Sequence, residues 1–414
     1  MAVSQVLRQV DEMEEQNKSK ENLLTFRDEI DGIDKQFIEL YRRRMEVCEK
    51  IADYKIETGK KVFDKAREEE KLDKVASFVD SDFDKMAVRE LFSQIMSVSR
   101  KLQYQKLAEK GVMGRLPFIQ VKSLFDEPGV DNASQDGAEG KAGANGAKAR
   151  VVFQGAEGSY SQAAMEKYFG KEVSSFHVDT FREAMSAIDE GSADFGVLPI
   201  ENSTAGIVNE IYDLLVEFEN YIVAEQIIPI EHCLLGLPGT DLSQVKKVYS
   251  HPQSLMQSAD FLSEYRWEQV GLQNNAFAAM KVRDDKDPTK VAVASEYAGQ
   301  YYGLEVLQKG INSRGGNSTR FIIITNQKVF LSGANKISLC FELPHRSGAL
   351  YHLLSHFIYN NLNLTRIESR PIPEKDWEYR FFVDFEGNLS DGAVKNALRG
   401  LRDEAKNMKI LGNY

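Results

Sequence analysis

Cysteine is scarce in this chain of 414 residues: Cys48, Cys233 and Cys340 are all it has. An odd number of widely separated thiols is no disulfide framework and fits a reducing compartment, the cytoplasm. Sequons such as Asn202-Ser203-Thr204 therefore carry no expectation of glycosylation. Positive charge is in deficit too, with 52 Lys plus Arg against 63 Asp plus Glu and a formal net charge of −11. That balance argues against nucleic acid or an anionic membrane as the main partner, though it leaves room for a local basic site. No apolar run approaches the roughly 20 residues that span a bilayer. The first residues do not read as a secretory signal, because Asp11, Glu12, Glu14 and Glu15 fall where an apolar stretch belongs. What remains is an ordinary globular composition, 42% hydrophobic and 28% charged, in a chain long enough for two or three domains.

Residues 126–150 (DEPGVDNASQDGAEGKAGANGAKAR) contain five Gly, six Ala, no aromatic residue and a single β-branched one, Val130. Such a stretch cannot bury enough surface to offset its ordering entropy, so it reads as a flexible linker. Before it, residues 20–110 read as helical. After it, short β-branched runs (VVFQG, FGVLPI, KKVYS, KVAVAS, RFIIIT) alternate with helical stretches over 151–327, the pattern of an α/β domain with mostly parallel sheet. A softer break near 328–336 introduces strand, helix, two strands, helix and strand over 336–414, a small α+β sandwich of βαββαβ order.

In the helical segment Leu23, Phe26, Ile30, Ile33, Phe37 and Leu40, then Val47, Ile51 and Tyr54, recur in steps of three and four. The seam implies a long helix packed on another helix or on a second subunit. Its one missing member is Arg44. A register-setting polar residue or a snorkelling side chain would account for Arg44 alone. Its surroundings say more. Arg27 and Lys55 each follow a seam residue and share one face. Asp64 and Glu68 are an i,i+4 carboxylate pair around Arg67. Farther on, Phe92, Met96, Ser99 and Gln103 form a stripe that turns from apolar to hydrogen-bonding. A cationic seam opposite a polar stripe describes a pocket inside a helical bundle.

This segment resembles the all-helical chorismate mutase family, with Arg27, Arg44, Lys55, Asp64, Arg67, Glu68, Ser99 and Gln103 on positions matching its active-site residues. The resemblance implies a pericyclic rearrangement of chorismate to prephenate that needs no nucleophile and no cofactor. Arg27, reaching from a partner subunit, and Arg44 would clamp the two carboxylates, which suits bidentate guanidinium pairing. Lys55 and Gln103 would donate to the breaking ether oxygen, while Asp64 and Glu68 address the ring hydroxyl.

In the α/β segment QGAEGSYSQAA (154–164) follows a strand and opens a helix, with Gly155 and Gly158 permitting close backbone approach and Ser159 at the helix start. A tight strand–helix turn explains it equally well, and no phosphate loop is present because no GK[ST] follows. PIENSTAG (199–206), SHPQ (250–253) and RGGNSTRF (314–321) each end a strand, where ligands gather in open α/β sheets. A Ser–His–Glu triad is the rival reading, but no Gly-x-Ser-x-Gly elbow occurs.

Together these four strings resemble prephenate dehydratase, a family of two α/β lobes flanking a cleft, similar to type II periplasmic binding proteins. The resemblance makes Thr319 the residue required for dehydration, with Arg320 and Phe321 completing the signature. Glu201, Asn202, Ser203, His251, Gln253 and Asn317 are candidates for the cleft lining. Loss of carbon dioxide and hydroxide is driven by aromatisation, so the hydroxyl of Thr319 need only position a hydrogen bond or relay a proton.

In the C-terminal segment His352 and His356 are i,i+4 but enclose no general base, so no metal site is expected. RSGAL (346–350) and ESRP (368–371) resemble the ACT regulatory domain. That implies an amino-acid effector, phenylalanine, held by Gly348, Ala349 and Leu350 with Glu368, Ser369, Arg370 and Pro371. The whole is expected to be a cytoplasmic homo-oligomer, dimer or tetramer, without cofactor. An amino-acid sensor that has lost catalysis, and a single-activity enzyme with a helical dimerisation segment, are the alternatives.

Overall fold

A computed structural model describes residues 2–110, 116–125, 149–344, 347–373, 375 and 377–414, with side chains from residue 22. The linker expected at 126–150 falls outside these residues except for Ala149 and Arg150, and Arg346 of RSGAL falls outside them too. Ala149 is buried and Arg150 opens a strand, pairing with Asp194 at 2.7 Å, so these two residues belong to the folded α/β segment rather than to a linker. The chain forms two compact units, Met1–Gly114 with Asn396–Asp403 and Arg115–Lys395 with Glu404–Tyr414.

The first unit carries α1 (Ala2–Thr58), α2 (Lys65–Ala76) and α3 (Asp82–Glu109). At 1.5 Å per residue, α1 extends about 85 Å, more than the shorter α2 and α3 can cover. The seam read from the sequence lies open along it, exposed from 41% at Ile51 to 65% at Leu40. Helix α2 starts where Asp64 caps it, accepting from the Arg67 amide at 3.1 Å. Facing inward from α3 are not only Met96, Tyr104 and Leu107 but also Ser97, Ser99, Arg100, Lys101 and Gln103. Buried polar groups in such number need a polar purpose.

The second unit runs β1 (Ile119–Val121), β2 (Arg150–Gln154), α4 (Tyr160–Phe169), β3 (Ser174–Val178), α5 (Phe181–Asp189), β4 (Phe195–Asn202), β5 (Gly206–Ile207), α6 (Asn209–Glu217) and β6 (Tyr221–Pro229). The chain then crosses to a second sheet: β7 (Cys233–Gly236), β8 (Lys247–Ser250), α7 (Pro252–Gln257), α8 (Ala259–Leu262), β9 (Glu268–Gly271), α9 (Asn275–Asp285), β10 (Lys290–Ala294), α10 (Glu296–Tyr302) and β11 (Glu305–Gln308). It returns through β12 (Ser318–Thr325) and β13 (Val329–Leu331). Last come β14 (Lys336–Glu342), α11 (Ala349–Tyr359), β15 (Leu364–Pro371), β16 (Tyr379–Glu386), α12 (Gly392–Glu404) and β17 (Lys406–Asn413), in the strand–helix–strand–strand–helix–strand order expected.

Both sheets are mixed, which corrects the expectation of mostly parallel sheet. Strands β2, β3 and β4 pair in parallel, as do β8, β9 and β10, because helical crossovers join them. The strand reached by each crossing runs the other way: β7 against β10 and β11, β12 against β4 and β6. Period-two alternation along β12 serves two cores. Ile322 and Ile324 pack with Leu198, Ile188 and Leu215, whereas Phe321 and Ile323 pack with Val197, Phe153 and Met165. The C-terminal strands continue the first sheet through β17, which meets β6 at Gly412 and Ile222. A Cβ on Gly412 would collide with the Ile222 carbonyl oxygen, so this junction requires glycine.

Among the described residues no helix is long and apolar enough to cross a membrane, and the three cysteines are free and buried.

Candidate active sites

In the helical unit a cavity of about 830 Å³ is lined by Arg44, Lys55, Asp64, Arg67, Glu68, Ser99 and Gln103, together with Arg100 and four further lysines. Seven of the eight residues singled out in the sequence therefore meet at one place. Arg27 does not. It lies 17 residues before Arg44 on the same continuous helix, about 26 Å along the axis.

Eight basic and two acidic side chains line this cavity, inside a chain whose net charge is negative. The Arg44 guanidinium donates to Ser99 Oγ, which in turn donates to the Ile95 carbonyl at 2.7 Å. Lys55 Nζ donates to the Val62 carbonyl at 2.7 Å. Burial holds the Lys55 ammonium below the ordinary lysine pKa, against the pull of Asp64 and Glu68. Gln103 donates to the Ser99 carbonyl at 3.2 Å, while its Oε1 is buried without a partner. The Arg67 guanidinium turns away to Glu70, at 2.7 Å. Sequence reasoning missed Arg100, which is buried against Glu68 with its guanidinium 5.0 Å from the Phe63 ring centre. Its place one residue after Ser99 marks it as a neighbouring helix face, and only the third dimension brings it to Glu68.

The second cavity, about 320 Å³, opens in the α/β unit between the two sheets, where the chain crosses from one to the other. Gly155, Gly158 and Ser159, Asn202, His251 and Gln253, and Thr319 line it, so the four strings converge. Among its described lining residues there is no Lys, Arg, Asp or Glu. Helices α4 and α9 start at it, capped by Ser159 and Asn274, whose side chains accept from the Gln162 and Phe277 amides at 3.3 and 2.8 Å. Gly158 (φ +79°) passes close under Tyr302, whose ring a Cβ would meet at 2.9 Å.

Register decides which members of each string face the cleft. Thr319 pairs with Asn202 and Arg320 with Glu201, so the two pairs project to opposite faces. On the cleft side Asn202 Nδ2 donates to Thr319 Oγ1 at 2.9 Å. On the far side Arg320 lies 3.9 Å from Glu201 and 3.6 Å from Glu225, and Arg366 of β15 lies 3.3 Å from Glu201. Glu201, expected in the cleft lining, and Arg320 of the signature thus lie in an ion-pair cluster behind the cleft. Phe321 is buried in the core, Ser203 Oγ accepts from the Ser318 amide at 2.9 Å, and Asn317 sits behind Asn202.

Burial lowers the pKa of both cleft histidines, His251 and His232. His251 caps α7, accepting from the Gln253 amide at 3.2 Å, and His232 meets Gln257 at 2.9 Å. Neither activates a serine, so the triad reading has no geometry here. His232, Gln257 and Thr204 were not picked out as site residues. Thr204 and Gln257 sit in or just after the polar strings, but a lone His before an apolar strand gives no signal.

In the C-terminal strands Gly348 (φ +72°) precedes α11, Ala349 is buried and Leu350 half-buried. Along β15, Arg366, Glu368 and Arg370 turn inward, whereas Ser369 and Pro371 are exposed. Arg370 holds Asp213 of α6 with two bonds, 3.1 and 2.7 Å. His356 is buried 3.1 Å from Glu404.

A cationic pocket among helices and a neutral cleft between α/β lobes define a chain with two small-molecule sites. The sequence matches the family models for chorismate mutase type II over residues 26–104 and for prephenate dehydratase over residues 151–329. It is 30% identical to the bifunctional chorismate mutase/prephenate dehydratase of Escherichia coli K12, over 96% of this chain and 97% of that one. Among solved structures it is similar to the prephenate dehydratase of Arthrobacter aurescens in complex with L-Phe (29% identity, TM-score 0.59, 64% of this chain, 89% of that one). A structure described as GqqA, a quorum quenching acylase, is similar to the same degree (31%, TM-score 0.59, 64% and 97%). The chain belongs to the bifunctional chorismate mutase/prephenate dehydratase family. It is an enzyme of phenylalanine biosynthesis that carries both activities, chorismate to prephenate and prephenate to phenylpyruvate.

Proposed function

We propose that the helical cavity performs the rearrangement and the α/β cleft the dehydration, with the residues in the following parts. Arg44 clamps one carboxylate of chorismate, and Arg27 of a second copy clamps the other. Lys55 and Gln103 donate to the ether oxygen as charge builds on it, Gln103 through the second hydrogen of the Nε2 that also donates to the Ser99 carbonyl. Asp64 and Glu68 address the ring hydroxyl and orient the cations, and Ser99 accepts from Arg44. The bare apolar seam of α1 supports a homo-oligomer, dimer or tetramer, because an apolar face of that length is stable only when covered.

In the cleft Thr319 donates to the departing hydroxyl of prephenate. Asn202 already donates to Thr319 Oγ1, which leaves the threonine hydrogen free to point at the ligand. Neutral donors suit a reaction in which one carboxylate leaves as carbon dioxide, since a guanidinium would stabilise that carboxylate in the ground state. The GqqA likeness adds no hydrolase reading, because His232 and His251 are held by amides rather than by a serine.

Residues 336–414 form an ACT domain in this reading. Phenylalanine binds at Gly348, Ala349 and Leu350, with Glu368, Ser369, Arg370 and Pro371 as the second half of the site. The L-Phe complex of the Arthrobacter dehydratase supports that effector. Feedback inhibition has a direct route, since Arg366 holds Glu201, the residue beside Asn202. The observation that carries the whole is the convergence of seven mutase positions on one cationic cavity. Following chorismate to prephenate to phenylpyruvate with purified chain, with and without phenylalanine, tests it. Absence of either conversion removes the corresponding site assignment.

A further inference from the structure

Behind Thr319, four side chains close a ring of hydrogen bonds that all run in one direction. Asn317 Nδ2 donates to Gln257 Oε1 (3.3 Å), Gln257 Nε2 to Thr204 Oγ1 (3.0 Å), Thr204 Oγ1 to Asn202 Oδ1 (2.8 Å), and Asn202 Nδ2 to Asn317 Oδ1 (2.8 Å). At the cleft end Asn202 Nδ2 also donates to Thr319 Oγ1 at 2.9 Å, with the Ser318 carbonyl 3.2 Å away. Donors outside the ring reach it too, Ser203 Oγ at Asn317 Oδ1 (3.5 Å) and His232 at Gln257. His232 Nε2 lies 2.9 Å from Gln257 Oε1, an oxygen that already accepts from Asn317, so the imidazole must be the donor there.

We infer that His232 is a positioning residue for the dehydration. Its Nε2–H fixes which end of the Gln257 amide faces the ring, and the ring in turn holds the Asn202 nitrogen on Thr319. Were Gln257 flipped, its NH₂ would meet the NH₂ of Asn317, and His232 would have to give up its Nε2–H. Were Asn317 to follow, its NH₂ would confront the NH₂ of Asn202. The amides of Thr204 and Ala205 hold Asn202 Oδ1 from the other side, at 3.0 and 2.9 Å, so the donor direction at Thr319 is set from two directions. Gln257 belongs to α7 beside the second sheet, and Asn202 and Thr319 to strands of the first. The ring therefore also couples hydroxyl orientation to the closeness of the lobes. Burial keeps the imidazole neutral near neutral pH, consistent with a single donor.

The inference rests on the reading of Thr319, and the test separates the two. His232→Leu should lower dehydratase kcat about tenfold with KM within about threefold, and leave mutase turnover of the same chain unchanged. His232→Gln, which returns an N–H near the position of Nε2, should restore kcat to within about threefold of wild type. Wild-type turnover in His232→Leu beside an inactive Thr319→Ala overturns the inference alone, and so does a Gln variant no better than Leu. An active Thr319→Ala overturns the reading of the cleft and the inference with it. If His232→Leu fails to fold, the exposed Thr204 decides. Thr204→Val should cost about threefold in kcat while Thr204→Ser costs nothing, and equal turnover in both refutes the ring.

Discussion

Arg27 offers the sharpest test of how the mutase site is assembled. It shares α1 with Arg44 and Lys55, about 26 and 42 Å away along a continuous helix, and no rotamer spans such a gap. Arg27 can therefore serve only a site whose Arg44 and Lys55 belong to another copy. Removing a guanidinium that clamps a substrate carboxylate costs about 3 kcal/mol, roughly a hundredfold in kcat/KM. Arg27→Ala and Lys55→Ala should each leave under a few per cent of mutase activity when pure.

Mixing the two variants turns geometry into a number. After full subunit exchange at equal amounts, about half of the dimers are mixed. Each mixed dimer has one site with both residues intact and one with neither, so about one quarter of wild-type activity should return. If Arg27 acted within its own chain, every site would keep one lesion and nothing would return. The assay is loss of chorismate absorbance during exchange, with exchange itself followed by tagged subunits. No recovery after verified exchange refutes the shared site.

The two activities should separate: Arg44→Ala loses at least about a hundredfold in mutase turnover yet still dehydrates added prephenate, and Thr319→Ala does the reverse. Loss of both activities in either folded variant would mean that the sites are not independent. Lys55 must be a cation, and burial lowers its pKa, so mutase kcat/KM should fall as pH rises through a midpoint below 10.5. In Lys55→Arg that alkaline limb should vanish, and its persistence would assign the limb to another group. Arg366→Ala cuts the link from β15 to Glu201, so it should keep dehydratase turnover while raising the phenylalanine concentration for half inhibition about tenfold. Unchanged inhibition would place the coupling elsewhere.

Periodicity made the helical site legible. A seam that breaks at Arg44, a carboxylate pair one turn apart and a stripe that turns polar at Ser99 are statements about helix faces, and helix faces are written in spacing. Arg100 was not legible that way, because its contact with Glu68 depends on how α2 lies against α3. Strand direction was not legible either. The residues of β7 and β12 are as apolar as those of the strands that pair in parallel, and nothing in them records that a crossing has reversed the chain.

The cleft shows a different limit. Its strings named both Thr319 and Asn202, which pair in register across β12 and β4. They also offered Glu201 and Arg320 as equals, although alternation along a strand sends neighbours to opposite faces. Applied to both strands, that rule separates a pair of neutral residues facing the ligand from a pair of charged ones facing Arg366 and Glu225. Charge then has a different task on each side of one sheet: outside the cleft it ties β15 to β4, and among the described residues lining the cleft there is none. The same strand that holds Asn202 for chemistry holds Glu201 for communication. In the regulation proposed above, a signal at Arg366 would reach Glu201, one residue from Asn202, and would throttle dehydration without any effector entering the cleft.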